Sequence, residues 1–291
     1  MSETLDPFGV RLGVAVAQHG PLCVGIDPHP SLLEAWDLPV SVKGLRRFAE
    51  VAVEAFGGEV ALVKPQSAFF EAFGAAGVEV LEDVLAGLRE MGTLSLLDVK
   101  RGDIGSTMLA YAHAYLDDSA PLRADAITVS PFLGLGSLAP AFDVARRCGR
   151  GVFVLAMTSN PEGASVQHAV WEGGTVSGAI IDAVSELNAL APADGYGDVG
   201  LVVGATVGKD IADLGLTDAL AQSRAPLLAP GVGAQGATIG DVGQGFGVAS
   251  SLVLPTTSRA VLSAGPDVAA LRTAVRAVQQ EAAELRPSPQ A

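Results

Sequence analysis

Eight short apolar runs set the limits on this fold. They fall at residues 22–27, 60–64, 94–100, 126–130, 151–157, 199–204, 226–230 and 251–255. They are broken by Gly, Pro or charge, and they read as strands buried on both faces. Most gaps carry helical spacing, at 44–56, 78–91, 108–116, 177–190 and 211–223, and 266–285 supplies a last helix. The stretch after the seventh run is Gly-rich, so any helix there is short. Eight such units in about 250 residues predict a (β/α)8 barrel of the α/β class. A doubly wound open sheet is the competitor. It is weakened because no Gly-x-Gly-x-x-Gly follows the first run.

The expected layout is a loose leader over 1–9, one barrel domain over 10–285 and a frayed tail over 286–291. Helical spacing at 10–18 could plug one end of the barrel. Hydrophobic residues make up 49% of the chain and aromatic ones 5%, so the core is built from Ala, Val and Leu. The apolar runs fall well short of the roughly 18 residues needed to span a bilayer. The N-terminus lacks a basic segment followed by an apolar one, which predicts a cytoplasmic protein.

Cys23 and Cys148 are far apart with no further Cys or His at ligand spacing, so both are expected to be buried thiols and no metal site is expected. A net charge of −14 argues against nucleic acid as a partner. It also means that an anionic substrate would have to be held by local groups.

The third run carries unusual chemistry. Asp98 and Lys100 interrupt it two residues apart, a spacing that puts both side chains on one strand face. Arg101-Gly102 then breaks the strand and delivers Asp103, and Gly105-Ser-Thr107 can open a helix with Ser106 or Thr107 near its cap. An isolated Asp-x-Lys is often no more than a structural ion pair at a strand end.

In a barrel, active sites collect at the C-terminal ends of the strands. Polar residues fall at those ends here. Asp27 follows the first run, Lys64 the second, Thr158-Ser159-Asn160 the fifth, Pro230-Gly-Val-Gly-Ala-Gln-Gly236 the seventh and Thr257-Ser258-Arg259 the eighth. Gly-rich backbone can converge on an anion, and a guanidinium such as Arg259 can bind phosphate through two donors. Lys64 could simply be a lysine snorkelling at the rim. Beside Asp98, Lys100 and Asp103 it would instead complete an array of two cations and two anions. Flanking carboxylates favour an ammonium, which makes Lys100 a proton donor rather than a nucleophile. His19, His29, His113 and His168 show no catalytic spacing. The segment 160–178 is long enough to be functional, as a lid or an oligomer contact.

Four strings carry a resemblance along nearly the whole chain, from Gly25 to Arg259. They are Lys-Pro-Gln-Ser-Ala-Phe-Phe-Glu at 64–71, Asp-Val-Lys-Arg-Gly-Asp-Ile-Gly-Ser-Thr at 98–107, Thr-Ser-Asn-Pro at 158–161 and Pro-Gly-Val-Gly-Ala-Gln-Gly at 230–236. In this order they resemble the orotidine 5′-monophosphate decarboxylase family, in its longer bacterial branch. The resemblance implies cofactor-free loss of CO2 from C6 of orotidine 5′-monophosphate to give UMP, with Lys100 protonating the C6 carbanion. It implies a catalytic tetrad of Lys64, Asp98, Lys100 and Asp103. It places Asp27 and Thr107 on ribose hydroxyls, Ser159 on the pyrimidine, Gln235 at the phosphate end and Arg259 on the phosphate. Pro230 and Ser258 join them as substrate-binding positions. It further implies a homodimer in which Asp103 and Thr107 act across the interface. Two alternatives stay open: a metal-dependent hexulose-phosphate synthase relative of the same barrel superfamily, and a non-catalytic phosphate-binding barrel.

Overall fold

The eight apolar runs close into one parallel barrel in a computed structural model that describes residues 5–192, 195–233 and 236–286. Its strands are β1 (Cys23–Ile26), β2 (Leu62–Pro65), β3 (Leu94–Arg101) and β4 (Ala126–Val129), then β5 (Gly151–Met157), β6 (Val199–Val203), β7 (Leu227–Pro230) and β8 (Val253–Thr257). Each strand pairs with its sequence neighbours, and β8 closes on β1 through Cys23–Thr256 and Val24–Thr257. The (β/α)8 architecture is therefore the one that the alternation of runs and helices predicts.

The runs look uniformly apolar because alternate residues enter two different cores. Val24, Val63, Leu97, Ile127 and Val152 pack outward against the helices. Cys23, Leu62, Leu96, Ala126, Phe153, Val202 and Leu254 point inward and form a second, smaller cluster.

That inner cluster is completed from below by the helix Phe8–His19, through Phe8, Leu12 and Val16. Phe8 meets Phe153 edge-on with ring centroids 6.0 Å apart. Position 151 has to be glycine, since a Cβ there would sit 2.5 Å from the Phe8 ring. Arg11 anchors the plug by donating to Asp125 Oδ1 at 2.6 Å and to the Gly149 carbonyl at 2.7 Å. Residues 8 and 9 thus belong to the plug and not to a leader. Of the tail expected over 286–291, all but Arg286 lies outside the described residues.

Several elements differ from expectation, among them the short helices Pro30–Ala35 and Ser67–Glu71, which spacing does not mark. The helix expected over 211–223 is split into Gly208–Asp213 and Thr217–Gln222 by Gly215, whose φ of 67° ends the first piece. A helix not anticipated, Ala139–Arg147, fills the gap between β4 and β5. The eighth strand lies two residues later than expected, because Gly247–Leu252 forms a 3-10 helix and pairing with β7 begins only at Val253. After β7 the helix is short, Ile239–Phe246, started by a reciprocal cap between Thr238 and Asp241. The segment 160–178 holds the one-turn helix Ala164–Gln167 and a hairpin pairing Val170–Trp171 with Gly174–Thr175. Among the described residues no helix is long and apolar enough to cross a membrane.

Candidate active site

At the C-terminal ends of the strands the inner face turns from apolar to charged, around a cavity of about 260 Å³. β1, β2 and β3 deliver Asp27, Lys64 and Asp98 by the alternation that buries Cys23, Leu62 and Leu96 deeper in the same barrel. Lys64 and Asp98 are buried, at 5% and 8% exposure. Lys64 Nζ donates to Asp98 Oδ2 at 3.0 Å and lies 3.9 Å from Asp27 Oδ1. Lys100 Nζ donates to the other Asp98 oxygen, Oδ1, at 2.5 Å. Charges therefore alternate along Asp27, Lys64, Asp98 and Lys100.

Lys100 reaches Asp98 by a route that strand periodicity does not describe. β3 and β4 pair in register up to Leu97–Ile127 and again at Arg101–Val129, with a bulge between. Lys100 has a φ of 46°, the left-handed region. Its side chain is 45% exposed, so this ammonium faces the open cavity while Lys64 lies beneath.

The electrostatics follow from burial set against pairing. Burial by itself would push the Lys64 ammonium down, but the Asp98 and Asp27 carboxylates outweigh it and hold Lys64 above the ordinary lysine value. Burial by itself would raise Asp98. Lys64, Lys100 and the hydrogen bonds from Lys100 and Thr128 instead hold it well below the usual carboxylate range. Cys23, in contact with this cluster, is pushed up to about 12 by burial and stays a neutral thiol.

The structure divides the remaining expected residues. Ser159, Pro230, Ser258 and Arg259 line the cavity with Asp27 and the charged array. Among the described residues Arg259 makes no ion pair, and it stands exposed at the start of the helix Arg259–Leu262. Asp27 Oδ1, Thr257 Oγ1 and Ser258 Oγ are buried without a hydrogen-bond partner among the described residues. Gln235 lies outside the described residues.

Asp103 and Thr107 do not line the cavity of their own barrel. Asp103 Oδ1 accepts from the Ile104 amide at 2.8 Å, and Thr107 is exposed. The cap expected at Ser106 or Thr107 is not formed. The helix Gly105–Leu116 has Ile104 at its N-cap without a side-chain bond, and Ser106 and Thr107 sit within the first turn. The helix instead starts at Gly105, whose φ is 52°.

Two residues of the site went unnoticed in the sequence. Gln66 follows Lys64 by two on the same face. With its amide nitrogen turned toward Asp98, it donates to Asp98 Oδ2 at 3.1 Å and to the Asp98 carbonyl at 2.8 Å. Thr128 follows the inward Ala126 by two, and its hydroxyl donates to Asp98 Oδ1 at 2.8 Å. Alternation was the available signal for both, but neither residue is charged, and neither was singled out at its strand end.

A fixed array of two ammonium and two carboxylate groups, with an exposed guanidinium at the rim, suits an anionic substrate on which negative charge develops. Comparison with known proteins gives this array a family. Residues 20–274 match the model of the orotidine 5′-phosphate decarboxylase / HUMPS family. The chain is 60% identical to an orotidine 5′-phosphate decarboxylase of Salinispora arenicola over 93% of its length and 95% of the relative's. It is 54% identical to the protein of that name from Streptomyces coelicolor, over 93% and 95% of the two lengths. Its fold matches a solved Streptomyces avermitilis chain with a TM-score of 0.92 at 52% identity, covering 97% of each chain. It matches Leishmania donovani OMP decarboxylase with a TM-score of 0.72 at 30% identity, covering 96% of this chain and 98% of that one. By these matches and by its charged array, the chain belongs to the orotidine 5′-phosphate decarboxylase / HUMPS family.

Proposed function

We propose that the protein decarboxylates orotidine 5′-monophosphate at C6, without a cofactor, to give UMP and CO2. The observation that carries this reading is the alternation of charge along Asp27, Lys64, Asp98 and Lys100 at the mouth of a barrel of this family. Asp98 lies against the departing carboxylate, and Lys64 and Thr128 fix its orientation. Lys100, the exposed end of the array, stabilises charge developing at C6 and then protonates that carbon. Because the array is held in place before substrate arrives, little reorganisation accompanies the reaction. Arg259 takes the phosphate, Asp27 a ribose hydroxyl and Ser159 the pyrimidine, with Pro230, Gln235 and Ser258 completing the substrate contacts. Phosphate binding far from C6 contributes to turnover through remote binding energy.

The same proposal includes a homodimer in which Asp103 and Thr107 enter the partner's site. Its support is their position outside their own cavity, with the neighbouring apolar side chain of Ile104 exposed. A cytoplasmic location belongs to this reading too, supported by the buried, unpaired Cys23 and Cys148.

The competing reading is a hexulose-phosphate synthase of the same barrel superfamily. A metal-dependent reaction of that kind wants a carboxylate at the end of β2, where this chain has Lys64, whose ammonium would repel the cation. A spectrophotometric assay with orotidine 5′-monophosphate, run with and without a chelator, tests the choice. Turnover unaffected by chelator is expected. No turnover of orotidine 5′-monophosphate would overturn the decarboxylase reading.

A further inference from the structure

Thr128 ties the backbone of β3 to the charged array. Between the pairs Leu97–Ile127 and Arg101–Val129, three residues of β3 stand opposite one of β4. The three are Asp98, Val99 and Lys100, and the one is Thr128. Such a bulge turns backbone amides away from the regular ladder and leaves them in need of an acceptor. The Thr128 hydroxyl is that acceptor. Oγ1 takes the Val99 amide at 3.1 Å and the Lys100 amide at 3.0 Å.

A hydroxyl has two lone pairs and one proton. Two amides occupy the lone pairs, so the proton can go only outward, and it goes to Asp98 Oδ1 at 2.8 Å. That same oxygen receives Lys100 Nζ at 2.5 Å. One side chain, at 1% exposure, thus holds both the left-handed backbone of Lys100 and the carboxylate its ammonium rests on. Valine would fill the same volume, yet it would leave the buried Val99 amide and the half-buried Lys100 amide without an acceptor and Asp98 short of a donor.

We propose that Thr128 is a positioning residue for the proton donor: it locks the β3 bulge and so aims Lys100 and Asp98 together. It acts through Lys100 and Asp98, and the inference rests on the decarboxylase reading above.

The test compares wild type, Thr128→Val and Thr128→Ser by kcat for orotidine 5′-monophosphate, Kd for UMP and amide hydrogen exchange. Losing one hydrogen bond to a charged group should lower kcat of Thr128→Val by about 30-fold. UMP affinity should stay unchanged, because the ground-state ligand does not call on the aim of Lys100. The Val99 and Lys100 amides should exchange slowly in wild type and faster in Thr128→Val. Thr128→Ser, which keeps the hydroxyl, should restore most of the turnover. A merely structural threonine would lower stability without separating kcat from UMP affinity, and that result would overturn the proposal. So would wild-type kcat in Thr128→Val, or a loss in Thr128→Ser as large as in Thr128→Val. If Thr128→Val does not fold, turnover of Thr128→Ser and exchange in wild type still decide, since rapid exchange of both amides would rule out the clamp. A wild type that leaves orotidine 5′-monophosphate intact defeats the decarboxylase reading instead, while the exchange data still test the clamp.

Discussion

Lys64 Nζ and Asp98 Oδ2 lie 3.0 Å apart on neighbouring strands, and both side chains are buried. Each keeps the other ionised in a place where neither would remain charged unaided. Lys64 is held above its ordinary value and Asp98 below its own, so the pair is a joint source of stability and of fixed charge.

Asp98→Asn tests that relationship through pH. Breaking a buried pair from one side costs about 3 kcal/mol or more, and Asp27 at 3.9 Å replaces only part of the lost charge. The sign follows from linkage. Asp98 is depressed in the fold, so its stabilisation is present above the ordinary carboxylate value and fades as pH falls through the folded value. Lys64 is raised in the fold, so its stabilisation is complete below the ordinary lysine value and fades as pH rises through the folded one. The stability gap between wild type and variant should therefore be widest between about pH 5 and pH 9, and narrow on both sides. Denaturant midpoints across that range measure it, and a gap independent of pH would refute the coupling.

Arg259 is exposed at the cavity mouth and has no ion pair among the described residues. Arg259→Ala should weaken kcat/KM for orotidine 5′-monophosphate by about 100-fold, as expected for losing a charged phosphate contact. Turnover of the nucleoside that lacks the phosphate should be almost unchanged. Equal losses for the two substrates would place Arg259 in the fold instead of on the phosphate.

Sharing of Asp103 between subunits makes a prediction about mixtures. Lys100→Ala and Asp103→Ala should each be nearly inactive as homodimers, because one lacks the proton donor and the other the carboxylate proposed to enter the partner's site. Under the shared-site model, a mixed dimer has one site with both defects and one with neither. Random exchange makes half of the dimers mixed, so about a quarter of wild-type activity should return, given an isologous twofold pair. If Asp103 serves its own barrel, every site keeps a defect. No recovery after exchange verified by mass spectrometry would then rule out sharing.

Much of the fold was legible because burial leaves a periodic trace. All eight strands coincide with the apolar runs, and most helices with their amphipathic gaps, since each run must hide two faces and each helix one. Local chemistry moved the boundaries. Gly215 breaks an amphipathic stretch that hydrophobic spacing alone carries through, and Phe8 extends the plug because Phe153 waits inside the barrel to receive its ring.

The site divides along the same line. The sequence by itself determined which charges stand on the rim: Asp27, Lys64, Asp98, Lys100 and Arg259 all end strands or follow them, and all line one cavity. Only the tertiary structure decided which of them touch. Within one barrel Asp27 stands beside Lys64, and Asp103 turns away to its own Ile104 amide. Lys100 meets Asp98 through a bulge with left-handed backbone, not through strand alternation. The reason is that alternation is a property of one strand, whereas a bulge depends on the strand opposite. The amides of Val99 and Lys100 find their acceptor in Thr128, a residue 28 positions beyond Lys100 that barrel closure sets beside it.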